Sequence, residues 1–285
     1  MNMAIRQFCQ GTPVLRDLYR VARASYQRRR LSKSAGAYFT DRNQFLATWD
    51  SEDGKTVDLH TKDGLTISAR RNHMDAAVLA EVFLENCYVA GLDLPDRPII
   101  VDIGGYIGDF ALYAVKRLKA SKVVVCEPSP RNWSFLTKNI ANKHCEDRIA
   151  AVNRAVTAGE DVFMNVNVPD RNQATVSAYG ESTSERTRIP GISLASLVED
   201  HGLKEIDLLK IDCEGGEYEI LATTPSEVLH SIQNIVFECH EIDGFEAKLK
   251  GIKQRLRDEG YVLGARGSLV FASRPARRRL QTIDT

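Results

Sequence analysis

Residues 99–108, Ile-Ile-Val-Asp-Ile-Gly-Gly-Tyr-Ile-Gly, carry the strongest structural signal in the chain. A short apolar run contains one acid, breaks into glycines and is followed at once by a helical pattern. This order is typical of a buried parallel strand that turns sharply into a crossover helix. Glycines let the backbone approach a ligand closely, and the next helix adds oriented N–H groups. The stretch therefore predicts a loop that binds a nucleotide-like cofactor.

Strand and helix patterns alternate from this stretch to the end of the sequence, which favours an α/β fold. We predict strands at 99–103, 122–127, 149–153, 206–211, 235–239, 261–264 and 269–273. Only a short segment that contains Arg266-Gly267-Ser268 separates the last two strands, so these two should form an antiparallel hairpin. A mostly parallel, seven-stranded sheet that ends in such a hairpin is typical of the Rossmann-like class I methyltransferase fold, whereas dehydrogenases usually end differently.

Two prolines, at 95 and 98, bracket a linker and suggest the domain organisation. Residues 1–95 should form a small α+β extension with a basic helix, a hairpin and a second helix that starts at Asp75 and runs to about Ala90. Residues 96–274 should form the cofactor-binding domain. Residues 275–285 are predicted to be a basic C-terminal tail.

The overall charge is balanced, with 38 basic and 38 acidic side chains among 285 residues. This balance argues against a nucleic-acid partner, although the basic helix predicted at Val14–Arg30 keeps RNA binding open. The same helix could instead lie on an anionic membrane surface. The sequence contains neither an apolar run of transmembrane length nor a signal-peptide core, so we expect a cytoplasmic protein, with peripheral membrane contact as an option. The oligomeric state cannot be read from these patterns.

The glycine spacing, Asp-x-Gly-Gly-x-x-Gly, distinguishes between cofactors. A dinucleotide fingerprint requires Gly-x-Gly-x-x-Gly, and here Tyr106 stands where its second glycine would be, counted from Gly104. An anionic Asp102 beside the loop would repel a pyrophosphate but would suit an ammonium group. S-adenosylmethionine carries an ammonium and a sulfonium and has no phosphate. We therefore assign the loop, which also includes Gly105 and Gly108, to this cofactor rather than to NAD.

The second predicted strand ends in Glu127-Pro128. A carboxylate at this strand tip can accept hydrogen bonds from both ribose hydroxyls of an adenosyl group. NAD would satisfy Glu127 equally well, so this residue alone does not select the cofactor. The combination of Glu127 with the loop that begins at Asp102 favours S-adenosylmethionine.

Charged side chains also gather at the carboxyl ends of the strands at 206–211 and 235–239, where open parallel sheets bind ligands. Asp212 and Glu214 follow the first of these strands, and Glu238 and His240 end the second. A histidine titrates near neutrality, so His240 could remove a proton from an acceptor hydroxyl, with Glu238 or Asp212 orienting it. The trio Asp212, Glu238 and His240 also offers donor types that suit a divalent metal ion.

The sequence resembles the FkbM-type methyltransferase family from about residue 75 to residue 273. The matching elements are Val101-Asp102-Ile103-Gly104-x-x-Ile107-Gly108, Glu127-Pro128 with Asn132 and Asn139, Lys210-Ile211-Asp212-x-Glu214-Gly215-x-Glu217, and Glu238-x-His240. The resemblance implies methyl transfer from S-adenosylmethionine, usually to a hydroxyl on a sugar, a polyketide or a lipid-linked glycan. It also implies that Asp102, Gly104, Gly108 and Glu127 hold the cofactor. Asp212, Glu214, Glu238 and His240 would border the transfer site.

Three positions depart from this family pattern: Tyr106 where Asn is frequent, Cys213 where Val is frequent, and Ala195 where Asp is common. We predict an O-methyltransferase that acts on a small-molecule or glycan acceptor, with the polar segment 157–190 helping to choose that acceptor. Methylation of an amine or of an RNA base is the enzymatic alternative. A non-catalytic binding protein on a methyltransferase fold is the alternative from a different class.

Overall fold

A computed structural model describes residues 31–141, 145, 147–165 and 186–275. The predicted basic helix at Val14–Arg30 and nearly all of the predicted C-terminal tail lie outside the described residues, as does the middle of the 157–190 segment. The chain divides into two compact units, the first ending at Glu85 and the second starting at Asn86. The proline-bracketed linker at 95–98 therefore belongs to the second unit. No helix among the described residues is both long enough and apolar enough to cross a membrane.

The first unit combines helices with one antiparallel strand pair. Residues 31–38 are helical, and then follow α1 (Arg42–Trp49), β1 (Thr56–His60), β2 (Thr66–Arg70) and α2 (His73–Phe83). Strands β1 and β2 pair antiparallel, from Thr56↔Arg70 to His60↔Thr66.

Helix α2 is shorter than the helix predicted from Asp75 to about Ala90. The side chain of Asn72 caps its start by accepting a hydrogen bond from the backbone N–H of Asp75 at 2.7 Å. Asp75 is instead buried against Arg70, whose Nε lies 3.0 Å from its Oδ1. The helix ends at Phe83, and Asn86 has a positive φ of 52°, which an α-helix does not accommodate.

The second unit contains the seven predicted strands in one sheet. They are β3 (Ile99–Ile103), β4 (Lys122–Cys126), β5 (Ile149–Val152), β10 (Ile206–Ile211), β11 (Ile232–Glu238), β12 (Val262–Arg266) and β13 (Leu269–Ser273). The spatial order is β12-β13-β11-β10-β3-β4-β5. All neighbours pair in parallel except β13, which is antiparallel to both β11 and β12. The predicted mostly parallel sheet with a C-terminal antiparallel hairpin is thus confirmed.

Helices and two small strand pairs complete this unit. The helices are α3 (Asp109–Lys116), α4 (Pro130–Ala141), α5 (Leu194–Asp200), α6 (Glu217–Thr223), α7 (Ser226–His230) and α8 (Phe245–Asp258). The small strands are β6 (Ala155–Thr157), β7 (Val162–Asn165), β8 (Arg186–Ile189) and β9 (Gly191–Ser193); β6 pairs with β9 and β7 with β8. The β7–β8 pair flanks the part of the 157–190 segment that is not described.

The strand order reverses between β3 and β10, which are neighbours in the centre of the sheet. In the register between them, Lys210 lies opposite Asp102 and Ile211 opposite Ile103. The valine, isoleucine and leucine side chains of both strands are buried, apart from the partly buried Ile99, because helices cover the sheet. Ligands of open α/β sheets bind beyond the carboxyl ends of the strands at such a reversal. The loops after Ile103 and Ile211 are therefore where a site is expected.

Candidate active site

The glycine loop after β3 packs directly on the tips of its two neighbouring strands. The N–H groups of Gly104 and Gly105 both donate to the carbonyl oxygen of Cys126, at 3.0 and 2.9 Å. Gly104 has a φ of +82°, and a Cβ at this position would lie 1.7 Å from the carbonyl oxygen of Asp212. A Cβ on Gly105 would lie 2.2 Å from a methyl group of Val125. Packing within the protein therefore requires glycine at both positions, whether or not a ligand approaches the loop.

Gly108 and Pro128 lie at the borders of this loop region. Gly108 has a φ of +84° and precedes α3, and its N–H donates to the carbonyl oxygen of Gly105 at 2.7 Å. Pro128 directly follows Glu127 in the turn between β4 and α4. Neither residue offers a side-chain polar group, so their contribution to a site is limited to backbone shape.

Glu127 binds the glycine loop from the tip of β4. Its Oε2 accepts a hydrogen bond from the N–H of Tyr106 at 2.8 Å, and its Oε1 accepts one from the N–H of Ser129 at 2.8 Å. The amide of Asn132 lies 3.5 Å from the same Oε1. Burial raises the pKa of Glu127 to about 7, although these donors oppose the shift. The carboxylate therefore holds Tyr106 in its positive-φ conformation and keeps acceptor capacity for a further donor.

Asp102 forms an ion pair inside the protein. Its side chain is completely buried, and its Oδ1 lies 3.0 Å from the ammonium of Lys210. The same ammonium donates to the carbonyl oxygen of Gly104 at 2.6 Å. Burial alone would lower the pKa of Lys210, but the carboxylates around it, first among them Asp102, outweigh burial and raise it. Lys210 therefore links Asp102 to the glycine loop, and a contact between Asp102 and a cofactor ammonium stays a prediction.

A second cluster of charged groups lies at the tips of β10 and β11. The Nε2 atom of His240 lies 3.7 Å from Oδ1 of Asp212 and 3.5 Å from Oε2 of Glu214. Glu238 accepts a hydrogen bond from the hydroxyl of Ser268 at 2.7 Å. Among the described residues, no lysine or arginine lies within ion-pairing distance of Asp212, Glu214 or Glu238. The four residues predicted to border the transfer site are therefore brought together.

The cluster also contains the predicted trio of metal-ligand types. One donor atom each from Asp212, Glu238 and His240 lies within 4.8 Å of the other two, and all three residues are half-buried. Carboxylate and imidazole donors at this spacing suit a divalent cation.

The surroundings of His240 change its protonation. Burial would lower the pKa of this imidazole, but the hydrogen bond to Glu217 and the nearby carboxylates of Glu214 and Asp212 raise it to about 9. The ring is therefore protonated at neutral pH in the protein alone. Proton removal by His240 at neutral pH requires a cation that offsets these carboxylates.

This raised pKa predicts a pH-dependent contribution to stability. The contribution is fully present below about pH 6.5, the ordinary pKa of histidine, and is lost as the pH rises through about 9. Because the ring is partly exposed, we expect His240→Asn to lower the melting temperature by only about 2–4 °C at pH 6.5. The difference in melting temperature between the wild-type protein and His240→Asn should disappear by about pH 10. Thermal scans of both proteins across this range check the expectation, and a difference that is independent of pH would contradict it.

Two residues of this cluster were not among the predicted site residues. The hydroxyl of Tyr88 donates to Oδ2 of Asp212 at 2.6 Å, and burial raises the pKa of this tyrosine. Glu217, at the start of α6, binds His240. The motif Lys-Ile-Asp-x-Glu-Gly-x-Glu contains Glu217 and could have indicated it. No local pattern points to Tyr88, which precedes β3.

The glycine loop and the charged cluster are in direct backbone contact. The N–H of Asp212 donates to the carbonyl oxygen of Ile103 at 2.9 Å, and the Asp212 carbonyl lies against Gly104. Asp212 is thus the residue that both regions share. The predicted cofactor loop and the predicted transfer site are therefore adjacent at the reversal of strand order.

Comparison with known proteins identifies the family. A model of the FkbM methyltransferase domain matches residues 102–263, a range that includes both regions. The chain belongs to the FkbM methyltransferase family. The resemblance seen in the sequence, including the Rossmann-like class I methyltransferase fold, is therefore confirmed, and the family assigns methyltransferase activity to the chain.

Two curated relatives and one solved structure are similar to this chain. Methyltransferase sdnD of Sordaria araneosa is 27% identical over 214 residues, which cover 65% of this chain and 81% of that protein. The 31-O-demethyl-FK506 methyltransferase FkbM of Streptomyces tacrolimicus is 25% identical over 243 residues, covering 75% of this chain and 92% of that protein. A crystal structure of methyltransferase FkbM from Methylobacillus flagellatus aligns with a TM-score of 0.47 and 16% identity, covering 68% of this chain and 47% of that one.

Proposed function

We propose that this FkbM-family protein transfers the methyl group of S-adenosylmethionine to a hydroxyl oxygen of a small molecule or glycan, such as a sugar, a glycolipid or a polyketide. The family supports methyl transfer. The relative from Streptomyces tacrolimicus is named for methylation at an oxygen, which favours O-methylation here as well. A cytoplasmic location, and peripheral membrane contact through residues 14–30, remain predictions from the sequence.

The residues of the glycine loop fit S-adenosylmethionine. Bare backbone at Gly104 and Gly105 and the buried acceptor Glu127 suit an adenosyl group. Asp102 Oδ2 and Asp109 Oδ1 are buried carboxylate oxygens without a hydrogen-bond partner among the described residues. Burial raises the pKa of both groups, that of Asp109 to about 7, and a cationic ligand would favour their ionised forms whereas a diphosphate would oppose them. When bound, S-adenosylmethionine supplies a methyl group activated by its positively charged sulfur.

The charged cluster can orient an acceptor hydroxyl and take its proton. The carboxylates of Asp212, Glu214 and Glu238 are hydrogen-bond acceptors, so they can hold hydroxyl groups in a fixed direction. Positioning of this kind accounts for much of the rate in a transfer between two bound groups. A cationic ligand near Asp212 would offset the carboxylates and return the pKa of His240 towards neutrality, where the imidazole can act as general base.

The single observation that carries the proposal is the backbone contact between Asp212 and the glycine loop. Because this contact joins the residues suited to the donor with those suited to the acceptor, one bound molecule can react with the other without any rearrangement of the sheet. A protein that only binds a nucleotide has no need for the second cluster.

Calorimetry followed by labelling tests this function. The full chain is titrated with S-adenosylmethionine and, separately, with NADH, and we expect binding of the first only. Protein is then incubated with methyl-labelled S-adenosylmethionine and fractionated glycans, lipids, RNA and small metabolites, and the labelled atom is located by NMR. Label on oxygen supports the proposal. Label on an amine or on an RNA base supports the enzymatic alternative, and the absence of binding supports a non-catalytic protein.

The pKa of Glu127 predicts that cofactor binding depends on pH. Hydroxyl donors favour the ionised carboxylate, so binding should release a proton from a group whose pKa burial raises to about 7. Affinity for S-adenosylmethionine should be about tenfold weaker at pH 6 than at pH 8. Titrations in two buffers with different ionisation enthalpies measure the released proton. Proton uptake, or an affinity that is independent of pH, would exclude this role for Glu127.

A metal ion is the second role that the cluster supports, because Asp212, Glu238 and His240 have suitable donors at suitable distances. Titration of chelator-treated protein with Mn²⁺ separates the two roles. Binding that is lost in both Asp212→Asn and Glu238→Gln assigns the cluster to a metal. No binding leaves proton removal as the role of His240.

A further inference from the structure

Glu217 is an acidic side chain with no solvent exposure at the start of α6. It lies behind the charged cluster, so it does not face an acceptor. Burial of a carboxyl group costs free energy unless hydrogen bonds satisfy its oxygens. The partners of Glu217 therefore indicate why an acid occupies this position.

Three N–H groups satisfy the carboxylate, and two of them belong to the same residue. Oε2 accepts a hydrogen bond from the backbone N–H of Gly215 at 2.8 Å. Oε1 accepts one from the backbone N–H of His240 at 3.0 Å and contacts Nδ1 of its ring at 3.2 Å. Glu217 thus restrains both the main chain and the imidazole of His240, which follows a different strand.

This arrangement decides which ring nitrogen faces the site. A carboxylate oxygen carries no hydrogen and can only accept, so Nδ1 is the donor in its contact with Oε1 of Glu217. Nε2 is then the atom turned towards Asp212 and Glu214. In the neutral ring this tautomer leaves the lone pair on Nε2. Proton removal and metal ligation both require that lone pair.

We propose that Glu217 is a positioning residue that fixes the tautomer and the ring orientation of His240 for methyl transfer. The inference rests on the proposed function, in which His240 faces the acceptor. A purely structural Glu217 would anchor only the Gly215 loop, and the hydrogen on Nδ1 would then be free to exchange with solvent.

NMR of the full chain labelled with ¹⁵N-histidine tests the inference. We expect one downfield proton bound to an Nδ1 atom, in slow exchange with solvent, and its absence from His240→Asn assigns it. The signal should be lost or exchange faster in Glu217→Gln, because the amide has a single, uncharged acceptor oxygen and must turn its NH₂ towards either Gly215 or His240. It should remain in Glu219→Gln, a matched control on the exposed side of the same helix.

The wild-type spectrum is decisive even if Glu217→Gln fails to fold: a His240 ring without a protected Nδ1 proton overturns the inference. Transfer of labelled methyl to the acceptor fraction adds a functional measurement. Glu217→Gln should lower kcat about 10- to 100-fold, with affinity for S-adenosylmethionine within about twofold of wild type. An equal loss of kcat and of affinity for S-adenosylmethionine would indicate that Glu217 has a structural role only. Failure of S-adenosylmethionine to bind wild-type protein would instead overturn the proposed function and leave the Nδ1 result intact.

Discussion

Replacing Gly104 with alanine should destabilise the second unit by more than about 4 kcal/mol and abolish binding of S-adenosylmethionine. The added Cβ would lie 1.7 Å from the carbonyl oxygen of Asp212 and 2.7 Å from its carbonyl carbon. The N–H of Asp212 is hydrogen-bonded to Ile103 of β3, so this residue has little freedom to move away from the added Cβ. The positive φ of Gly104 adds a further cost of about 1–2 kcal/mol.

Gly91→Ala is the matched control for this prediction. Gly91 has a φ of +88°, but a Cβ there would meet nothing within 4 Å. The control should therefore cost only about 1–2 kcal/mol. Urea unfolding followed by the fluorescence of Trp133, in a background where Trp49 is replaced by Phe, reports on the second unit alone. Equal destabilisation by the two alanines would show that the contact with Asp212 is unimportant.

Replacing Lys210 with methionine should have the second large effect, about 3–5 kcal/mol of destabilisation. The substitution leaves the carboxylate of Asp102 buried without its counter-charge and removes the donor to the Gly104 carbonyl. The cost comes mainly from the uncompensated charge. The double variant Asp102→Asn with Lys210→Met should therefore recover at least about half of the lost free energy.

Arg188→Met provides the control for an ion pair in water. Arg188 binds Asp161, and 73% of the arginine side chain is exposed. This substitution should cost less than about 1 kcal/mol. The same Trp133 fluorescence measurement serves for all three variants. A double variant as unstable as Lys210→Met would indicate that packing of the lysine stem, rather than buried charge, causes the loss.

The strands of the sheet could be predicted from the sequence because a local pattern marks each of them. Each strand of the sheet is a short apolar run bounded by turn residues. The gap before the last strand, which is only Gly267 and Ser268 in the structure, is typical of a hairpin. The end of α2 was missed for the opposite reason. The apolar stripe continues past Phe83, but the left-handed conformation of Asn86 stops the helix, and no periodicity reports that conformation.

The candidate site was only partly predictable from the sequence, because strand pairing determines which side chains contact each other. Asp212, Glu214, Glu238 and His240 could be placed at strand tips from their positions alone. The partner of Asp102 depends on the register that sets it opposite Lys210, which no single strand reveals. Tyr88 reaches Asp212 from a segment outside the sheet. The protonation of His240 depends on three carboxylates in residues 212–217, a segment that follows a different strand.

The rim of the charged cluster is built from segments that are distant in the chain. Tyr88 contacts Asp212 from one side, the turn residue Ser268 holds Glu238 from the other, and Arg266 in that hairpin binds the carbonyl of Cys87, 179 residues away. Contacts between such distant residues form late, since loop closure must precede them. The glycine loop depends on an equally distant contact, because Lys210 binds the Gly104 carbonyl 106 residues away. Both parts of the site thus wait for long loops to close, so catalytic competence should be among the last properties to emerge during folding.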